Sequence, residues 1–369
     1  MMRTVLLALA HGPSERSADE RRCNTESGRS LAERPHESRS RSSSTATRRA
    51  CSMSSVMTDT FVTGLPLVPL VLGIYLVMRI REDFDLTVDG SFAIGGAVGG
   101  TALVHGVPVP FAMALAIAAG VGAGLVTTVV HLGLGVPIML AGLVTSLGLY
   151  SINLRTMGTP SVSLTSEHTL FSGLQALDPV ARDWVSIAIL FLFAVAALGA
   201  VGLFLRTEIG LALRVSGHNT RLIRSQGVSE RRLIAINLLL ANGLSSLSGV
   251  LVVQNQGFAD VNMGVGVLIA GLGALLLGEL ITRPGGSRIL RGLLAVLIGA
   301  VLYRLVLTMA LNAGLSPTDL NLVTALTLIG AFALNRVVAR AGRTLAQRRS
   351  GQRSASSWDT THTKGAVSA

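Results

Sequence analysis

Cysteine, lysine and short catalytic motifs are rare in or missing from this chain of 369 residues. Its two cysteines, Cys23 and Cys51, both precede the first long apolar run and show neither a metal-ligand spacing nor a structural disulfide pattern. The sequence has no GxxxxGKS/T loop, no HExxH and no CxxC pair. These absences argue against an enzyme that hydrolyses nucleotides, uses zinc or exchanges thiols. We therefore expect no catalytic residue, metal or cofactor, and any ATP that drives the protein must be bound by another subunit.

Charged residues are also scarce, at 14% of the chain, whereas 50% of the residues are hydrophobic and 41 are glycine. The mean hydropathy is +0.58. Several apolar runs exceed the roughly 18 residues that a helix needs to cross a bilayer. The composition therefore predicts an all-α, polytopic membrane protein surrounded by lipid. The net charge of +11 lies mostly in the tails and loops, which indicates membrane topology and not nucleic-acid binding.

The two ends of the chain differ from its centre. Residues 1–56 mix serine, arginine and glutamate without apolar periodicity, which predicts disorder. An over-extended translation start is another explanation, with Met53 or Met57 as the true first residue. Residues 57–340 form the predicted transmembrane domain, and residues 341–369 form a disordered, basic cytoplasmic tail.

The transmembrane domain contains about nine predicted helical spans, within a range of about eight to ten. The second span is short and rich in glycine, and a re-entrant path for it would move the N-terminus to the other side of the membrane. The predicted spans are 61–78, 91–107, 111–130, 137–154, 184–205, 233–253, 265–281, 290–310 and 320–338.

Arginines between the spans predict which side of the membrane each loop faces. The central loop, the loop after the seventh span and the C-terminal tail are rich in arginine and are therefore cytoplasmic. The connectors 256–264 and 312–319 contain no lysine or arginine and are therefore external. Counting backward places residues 155–183 outside, residues 79–90 inside and the N-terminus outside.

Glycines cluster in the second and third predicted spans. They form small-xxx-small patterns, which let helix backbones approach closely where lipid provides no hydrophobic driving force. The pattern predicts tight packing of these two spans, and it involves Gly95, Gly96, Gly99, Gly100, Gly120 and Gly124.

The segment 206–232, here called the basic loop, carries six arginines between two apolar runs. Apolar residues spaced along 211–215 and 222–228 give an apolar face to each of two short helices. Gly217 and Asn219 between them readily adopt the left-handed conformation that turns a chain. The basic loop is thus predicted to be a helix–turn–helix on the cytoplasmic membrane surface. A plain connector that only fixes topology is the alternative.

Polar groups inside membrane spans are costly and are candidates for function. The candidate pathway residues are Asp85, Asn153, Asn237, Asn242 and Glu279. The alternative is structural: hydrogen bonds between helices, or an ion pair of Glu279 with Arg283, four residues further on. No carboxylate or histidine lies at a span centre, in contrast to proton-coupled or sodium-coupled carriers.

Four segments resemble the integral membrane permeases of bacterial ABC importers, in the branch of branched-chain amino acid and ribose permeases. Residues 85–91, DLTVDGS, are similar to the DLSVGS stretch of sugar permeases, with Asp89 as an additional residue. Residues 149–158 look like permeases assigned to tryptophan or tyrosine transport. The basic loop resembles the G-x-A-L-R-x-x-G-x-N…G coupling motif, and residues 273–279 resemble a late-span pattern. The resemblance covers residues from about 57 to 340.

This resemblance implies a transporter in the bacterial plasma (inner) membrane. It implies a second permease copy, two cytoplasmic ABC ATPase subunits and an extracytoplasmic solute-binding protein. The coupling motif implies that the ATPase contacts the basic loop through the segment containing Gly210, Arg214, Gly217, Asn219 and Gly227.

The implied solute is small and polar, with amino acids favoured and sugars and nucleosides left open. An ATP-independent secondary carrier or facilitator built from broken helices is the alternative function. Two features favour the importer: the basic loop, and the lack of ionisable groups inside the predicted spans.

Overall fold

The structure, a computed structural model, describes residues 56–81, 83–176, 178–218, 220–282, 288–316, 319, 322–334 and 336. This part of the chain is helical apart from one two-stranded ribbon and short connections, so the all-α prediction is confirmed. The predicted tails, 1–56 and 341–369, lie outside the described residues except for Val56.

The helices follow one another with short connections over most of the chain. They are α1 Val56–Arg81, α2 Thr87–Val104, α3 Val109–Leu134, α4 Ile138–Met157, α5 Pro179–Phe204, α6 Glu208–His218, α7 Thr220–Ser225, α8 Glu230–Gln256, α9 Val267–Ile281, α10 Arg288–Asn312 and α11 Leu322–Leu334. The strands are β1 Ser161–Ser163 and β2 Phe258–Asp260.

Six helices of the described chain, namely α1, α3, α4, α5, α8 and α10, are long and apolar enough to cross a membrane. The predicted number of about nine spans is therefore not confirmed. The second, seventh and ninth predicted spans correspond to α2, α9 and α11. Helices α9 and α11 are short, and α2 has 18 residues that include several polar ones.

Helix α8 lies at the centre of the bundle, and its small polar residues bind the backbones of its neighbours. The hydroxyl of Ser245 donates to Val88 O of α2 at 2.8 Å, that of Ser248 to Pro66 O of α1 at 2.6 Å, and that of Ser246 to Ala116 O of α3. Each serine thus satisfies its own donor inside the bundle while joining α8 to a different helix.

Helix α1 accepts a further side-chain hydrogen bond from α8, at a backbone carbonyl that a proline leaves without a partner. Pro66 has no N–H, so Val62 O four residues earlier loses its helical partner. The side-chain amide of Asn255 in α8 donates to Val62 O at 3.1 Å and replaces that bond. The chain winds into a 3₁₀ turn at Leu65–Leu67 and a π-helical stretch at Tyr75–Arg81.

The predicted close packing of the glycine-rich helices is present. A Cβ atom on Gly95 of α2 would collide with the backbone and hydroxyl of Ser246 in α8. A Cβ atom on Gly249 of α8 would collide with Phe92 O of α2. The two backbones therefore touch directly. On the other side of the bundle, α3, α4 and α5 expose apolar side chains such as Leu125, Leu147 and Leu192, as lipid-facing helices do.

Strands β1 and β2 form an antiparallel ribbon with Ser161 opposite Asp260 and Ser163 opposite Phe258. Each strand follows a long helix, β1 after α4 and β2 after α8. Both helices end on a glycine with positive φ, Gly158 at 68° and Gly257 at 76°, which turns the chain into the strand. The ribbon therefore joins the ends of α4 and α8.

Helices α2 and α9 begin inside the bundle instead of at its ends. The segment after α1 reaches Asp85, which contacts Asn242 near the midpoint of α8, before α2 starts at Thr87. The segment after β2 then reaches α2, where Leu268 N of α9 donates to Asp89 Oδ1 at 2.6 Å. In both places an irregular segment is followed by a shorter helix, an arrangement that membranes tolerate where the backbone is buried in protein.

Candidate functional site

The basic loop contains α6 and α7 where the sequence predicts two short helices. Gly217 was predicted to turn the chain between them, but it lies within α6 and is not among the glycines with positive φ. Gly210 packs against the end of α5, because a Cβ atom there would collide with Phe204 O. Gly217 packs against the end of α1, because a Cβ atom there would collide with Ile80 O. Gly227 has a φ of 74° and turns the chain toward α8. Asn219 lies outside the described residues.

Apolar side chains of the basic loop point in two directions. Leu213 and Ile223 are buried against the bundle, which fixes α6 and α7 in place. Ile209, Leu211 and Leu222 are 49%, 53% and 47% exposed. These three exposed apolar side chains are here called the loop patch.

Arg81, the last residue of α1, connects the basic loop to the bundle. Its guanidinium donates to Asp83 Oδ2 at 2.9 Å and to Ser216 Oγ of α6 at 3.2 Å, and it lies 3.6 Å from a carboxylate oxygen of Glu230 at the start of α8. Only 7% of the Arg81 side chain is exposed. Through Arg81, a movement of α6 would therefore be transmitted directly to α1 and α8. Nothing in the sequence pattern indicated Arg81.

Arg214, the arginine of the coupling-type motif, is half-buried in α6. Its Nε atom is buried and has no hydrogen-bond partner within the described chain. The side chain thus lies along the bundle side of α6, and it does not extend freely from the loop.

Asp85 and Asn242 form the centre of a buried hydrogen-bond network. The amide nitrogen of Asn242 donates to Asp85 Oδ2 at 2.8 Å and to Leu238 O at 2.9 Å. Its amide oxygen accepts from Ser91 Oγ at 2.7 Å. Asp85 Oδ1 accepts from Thr87 N at 2.8 Å. The network joins the segment before α2, the start of α2 and the middle of α8.

This geometry explains why a carboxylate lies at this position. The first N–H groups of a helix lack intrahelical partners and carry partial positive charge, which a carboxylate balances. Asp85 fills this role for α2. The close fit continues at Gly142 of α4, where a Cβ atom would lie 2.6 Å from Asp85 Oδ1. The arrangement matches the structural alternative, hydrogen bonding between helices, for these two pathway candidates.

Asn153 and Asn237 are each 1% exposed, and neither joins the Asp85–Asn242 network. The side-chain oxygen of each has no hydrogen-bond partner among the described residues. Asn237 lies about 7 Å from Asn242 along the axis of α8, toward the start of that helix. Asn153 lies in a different helix, near the C-terminal end of α4. The structure therefore does not bring the five pathway candidates together in one site.

Glu279 forms an ion pair with Arg79 of α1, with an N–O distance of 2.7 Å. The Arg79 side chain is 64% exposed, so the pair lies at the surface of the bundle. Arg283, the partner that the i, i+4 spacing suggested, lies outside the described residues. The observed pair joins α9 to α1 across the chain and not along one helix.

Asp89, the additional residue in DLTVDGS, also has a structural partner. Its carboxylate accepts the Leu268 N–H at the start of α9, so it caps α9 much as Asp85 caps α2. The insertion relative to the sugar permeases therefore coincides with a contact between two short helices. The sequence alone could not show it, because the partner is 179 residues away.

The expectation that no ionisable group lies inside a span is wrong. Arg304 lies in α10 and faces the interior of the bundle, where its Nε atom is buried without a partner in the described chain. The sequence signal was present, since Arg304 interrupts the apolar run LLAVLIGAVLYRLVLTMAL.

Comparison with known proteins gives a consistent result. The family described as "Branched-chain amino acid transport system / permease component" matches residues 56–332. A "Tyrosine transport system permease protein" of Clostridioides difficile (strain R20291) is 32% identical over 279 residues, covering 76% of this chain and 90% of the relative. An uncharacterized protein of Rickettsia prowazekii (strain Madrid E) is 32% identical over 267 residues, covering 72% of this chain and 92% of the relative. No solved structure matches the chain.

Proposed function

Because the chain belongs to the family of branched-chain amino acid transport system permease components, we propose that it is the membrane subunit of an ABC importer. In this function it moves a small polar solute inward, and a separate cytoplasmic subunit hydrolyses the ATP. The chain itself is a multi-pass membrane protein with no catalytic role in our proposal. A second copy of the chain and an external solute-binding protein complete the proposed assembly.

The loop patch is the observation that carries this proposal. Ile209, Leu211 and Leu222 are exposed at the end of the bundle that the charge distribution predicts to be cytoplasmic. Exposed apolar surface rimmed by charge is typical of an interaction site. The basic loop carries six arginines, and a groove on an ATPase subunit is the partner that the family membership favours.

The contacts behind the loop patch supply a route for mechanical coupling. Gly217 brings α6 against the end of α1, and Arg81 joins α6, α1 and α8. Packed elements of this kind shift between discrete arrangements and do not deform continuously. A displacement of the basic loop by an ATPase would therefore move α1 and α8, the helices at the centre of the bundle.

An amino acid is the solute class that the comparisons favour. The family is described by branched-chain amino acid transport, and the relative from Clostridioides difficile is named for tyrosine transport. Both names describe solutes with a carboxylate, an amine and an apolar or aromatic side chain. We propose the same class for this chain.

A second function, ATP-independent transport, is favoured by one observation. Helices α2 and α9 follow irregular segments and begin inside the bundle, and many secondary carriers bind their substrates at broken helices. In this chain, however, Asp85 and Asp89 accept backbone N–H groups at the starts of the two helices. The importer remains our proposal.

Co-purification from native membranes in mild detergent tests the importer. We expect the wild-type chain to bring down an ATPase with a P-loop, because the loop patch binds it. The double variant Leu211→Asp and Leu222→Asp should lose this partner. Leu315→Asp is the matched control, since Leu315 is 42% exposed but lies in the connector predicted to be external.

Two results would contradict the proposal. One is a wild-type chain that purifies without an ATPase yet moves solute into liposomes in the absence of ATP, which supports the secondary carrier. The other is an ATPase that is lost equally in the Leu315→Asp control, which would show that the loop patch is not its binding site.

A further inference from the structure

A cavity of about 220 Å³ opens in the half of the bundle that the charge distribution predicts to be external. It lies between the first half of α1, the end of α8, the start of α9 and the second half of α10. Most of its wall is apolar or aromatic, with Phe92 and Leu307 as examples. The Asp85–Asn242 network and the basic loop contribute no residue to this cavity.

Arg304 is the cationic side chain in the wall of this cavity. Its stem lies against Gly64 of α1, where a Cβ atom would be only 3.3 Å from Arg304 Cβ. Helix α1 can therefore approach closely and hold the arginine inside the bundle. Arg304 forms no ion pair with a carboxylate of the described chain, and its Nε atom is buried without a partner. An unpaired arginine inside a membrane bundle is costly, so a bound anion would balance it.

The other groups in the wall limit what this anion can be. The Tyr303 hydroxyl lies 3.0 Å from Thr324 Oγ1, and both residues line the cavity. The carboxylate of Asp59 also lines it, nearer the start of α1. Arginine binds a carboxylate through two parallel hydrogen bonds, and the apolar wall suits an apolar or aromatic side chain. The cavity volume of about 220 Å³ lies below the roughly 300–1,000 Å³ typical of sites for drug-sized ligands, so the cavity suits a smaller ligand.

We propose that this cavity binds the transported amino acid, with Arg304 as the residue that binds its carboxylate. The choice of an amino acid rests on the proposed function, whereas the requirement for an anion rests on Arg304 alone. The site would receive the solute from the external side and hold it between α1, α9 and α10.

Equilibrium binding to the purified full-length chain in detergent tests this proposal without any partner subunit. The probes are radiolabelled L-tyrosine, its decarboxylated analogue tyramine, and L-leucine. We expect Arg304→Gln to weaken L-tyrosine and L-leucine binding at least about tenfold, which corresponds to about 1.4 kcal/mol. Arg304→Lys should retain part of the affinity, since it keeps the charge but not the planar fork. Tyramine should bind the wild-type chain weakly and be insensitive to either substitution.

Met309→Gln is the matched control, because Met309 lies in the same helix and is 48% exposed away from the cavity. Equal affinity of the wild type and Arg304→Gln for L-tyrosine would overturn the proposal, and so would tyramine that binds the wild type as tightly as L-tyrosine. If Arg304→Gln does not fold, the comparison of L-tyrosine with tyramine in the wild type and in Arg304→Lys decides. Failure of the importer proposal appears separately, as absence of the ATPase during co-purification.

Discussion

At the scale of single residues, the two aspartates near the start of α2 illustrate how a membrane bundle accommodates carboxylates. Asp85 and Asp89 each accept a backbone N–H at the beginning of a short helix, where partial positive charge is concentrated. Their positions are therefore explained by helix capping before any transport role is invoked.

The pairing of Asp85 with Asn242 leads to a prediction about stability. Asp85→Asn should place two amide donors opposite each other, and Asn242→Asp should place two carboxylates opposite each other. Each single substitution should cost about 1–3 kcal/mol, because a buried polar group loses its partner. The double variant with both substitutions restores a donor opposite an acceptor, so it should be more stable than the sum of the single losses. Thermal melting of the four purified proteins in detergent measures this. Strictly additive losses would show that the hydrogen bond does not stabilise the bundle.

Residue types and their chain positions allowed part of this site to be predicted. Asp85 and Asn242 stood out as polar groups in or beside apolar spans, yet their contact joins residues 157 positions apart and could not be read from spacing. Arg304 interrupts an apolar run, so its place inside a span is visible in the sequence itself. Arg81 gave no signal, because an arginine at the cytoplasmic end of a span is what topology already requires.

At the scale of secondary-structure elements, the basic loop was the best predicted part of the chain. Its two helices form where apolar residues recur at helical spacing. The inner starts of α2 and α9 were not predicted. Hydropathy measures only how apolar a segment is. It therefore does not show where an irregular segment ends and the helix after it begins. Their starts are set by caps and by contacts with α8, which are tertiary interactions.

Arg81 leads to a prediction about coupling that rests on the proposed importer. Arg81→Gln removes the contacts of α1 with Ser216 and Glu230 but leaves the loop patch intact. We expect the ATPase still to co-purify, while the solute moved per ATP hydrolysed in proteoliposomes falls about tenfold, within the usual range of coupling free energies.

Arg79→Gln is the control, two residues earlier in the same helix. It removes a mostly exposed ion pair with Glu279, and such pairs contribute about 0–1 kcal/mol. Transport per ATP should therefore stay close to the wild-type value. Equal losses in the two variants would mean that Arg81 supports the fold and does not transmit movement between α6 and the bundle.

At the scale of the whole molecule, the number of crossings decides on which side each loop lies. Helix α2 is about 27 Å long and α9 about 22 Å, both shorter than the hydrocarbon core of about 30 Å. We propose that each completes a crossing together with the irregular segment before it. Length and composition alone leave out these two helices and α11, which is why the sequence prediction of about nine spans and the six long helices differ.

Labelling of single cysteines with a membrane-impermeant maleimide tests these crossings. In a background with Cys23 and Cys51 replaced by serine, we expect Ser166→Cys and Leu315→Cys to react from outside intact cells. Phe84→Cys and Ser225→Cys should react only after the membrane is opened. All four positions are exposed.

The labelling pattern separates the two short helices. If α2 did not complete a crossing, positions 84 and 166 would lie on the same side, because only α3 and α4 would remain between them. If α9 did not, positions 225 and 315 would lie on the same side, with only α8 and α10 between them. Either result would contradict the discontinuous crossings.

The ribbon of β1 and β2 has a mechanical consequence. Because it fastens the ends of α4 and α8 to each other, these helices cannot separate there without breaking the ladder between Ser161 and Asp260 and its neighbours. The ribbon therefore acts as a fulcrum for tilting of α8. This helix has 27 residues and is about 40 Å long, and its other end lies beside the basic loop. A tilt of about 5° at this fulcrum displaces the far end of α8 by about 3.5 Å. Small rotations at the ribbon thus become larger displacements beside the basic loop.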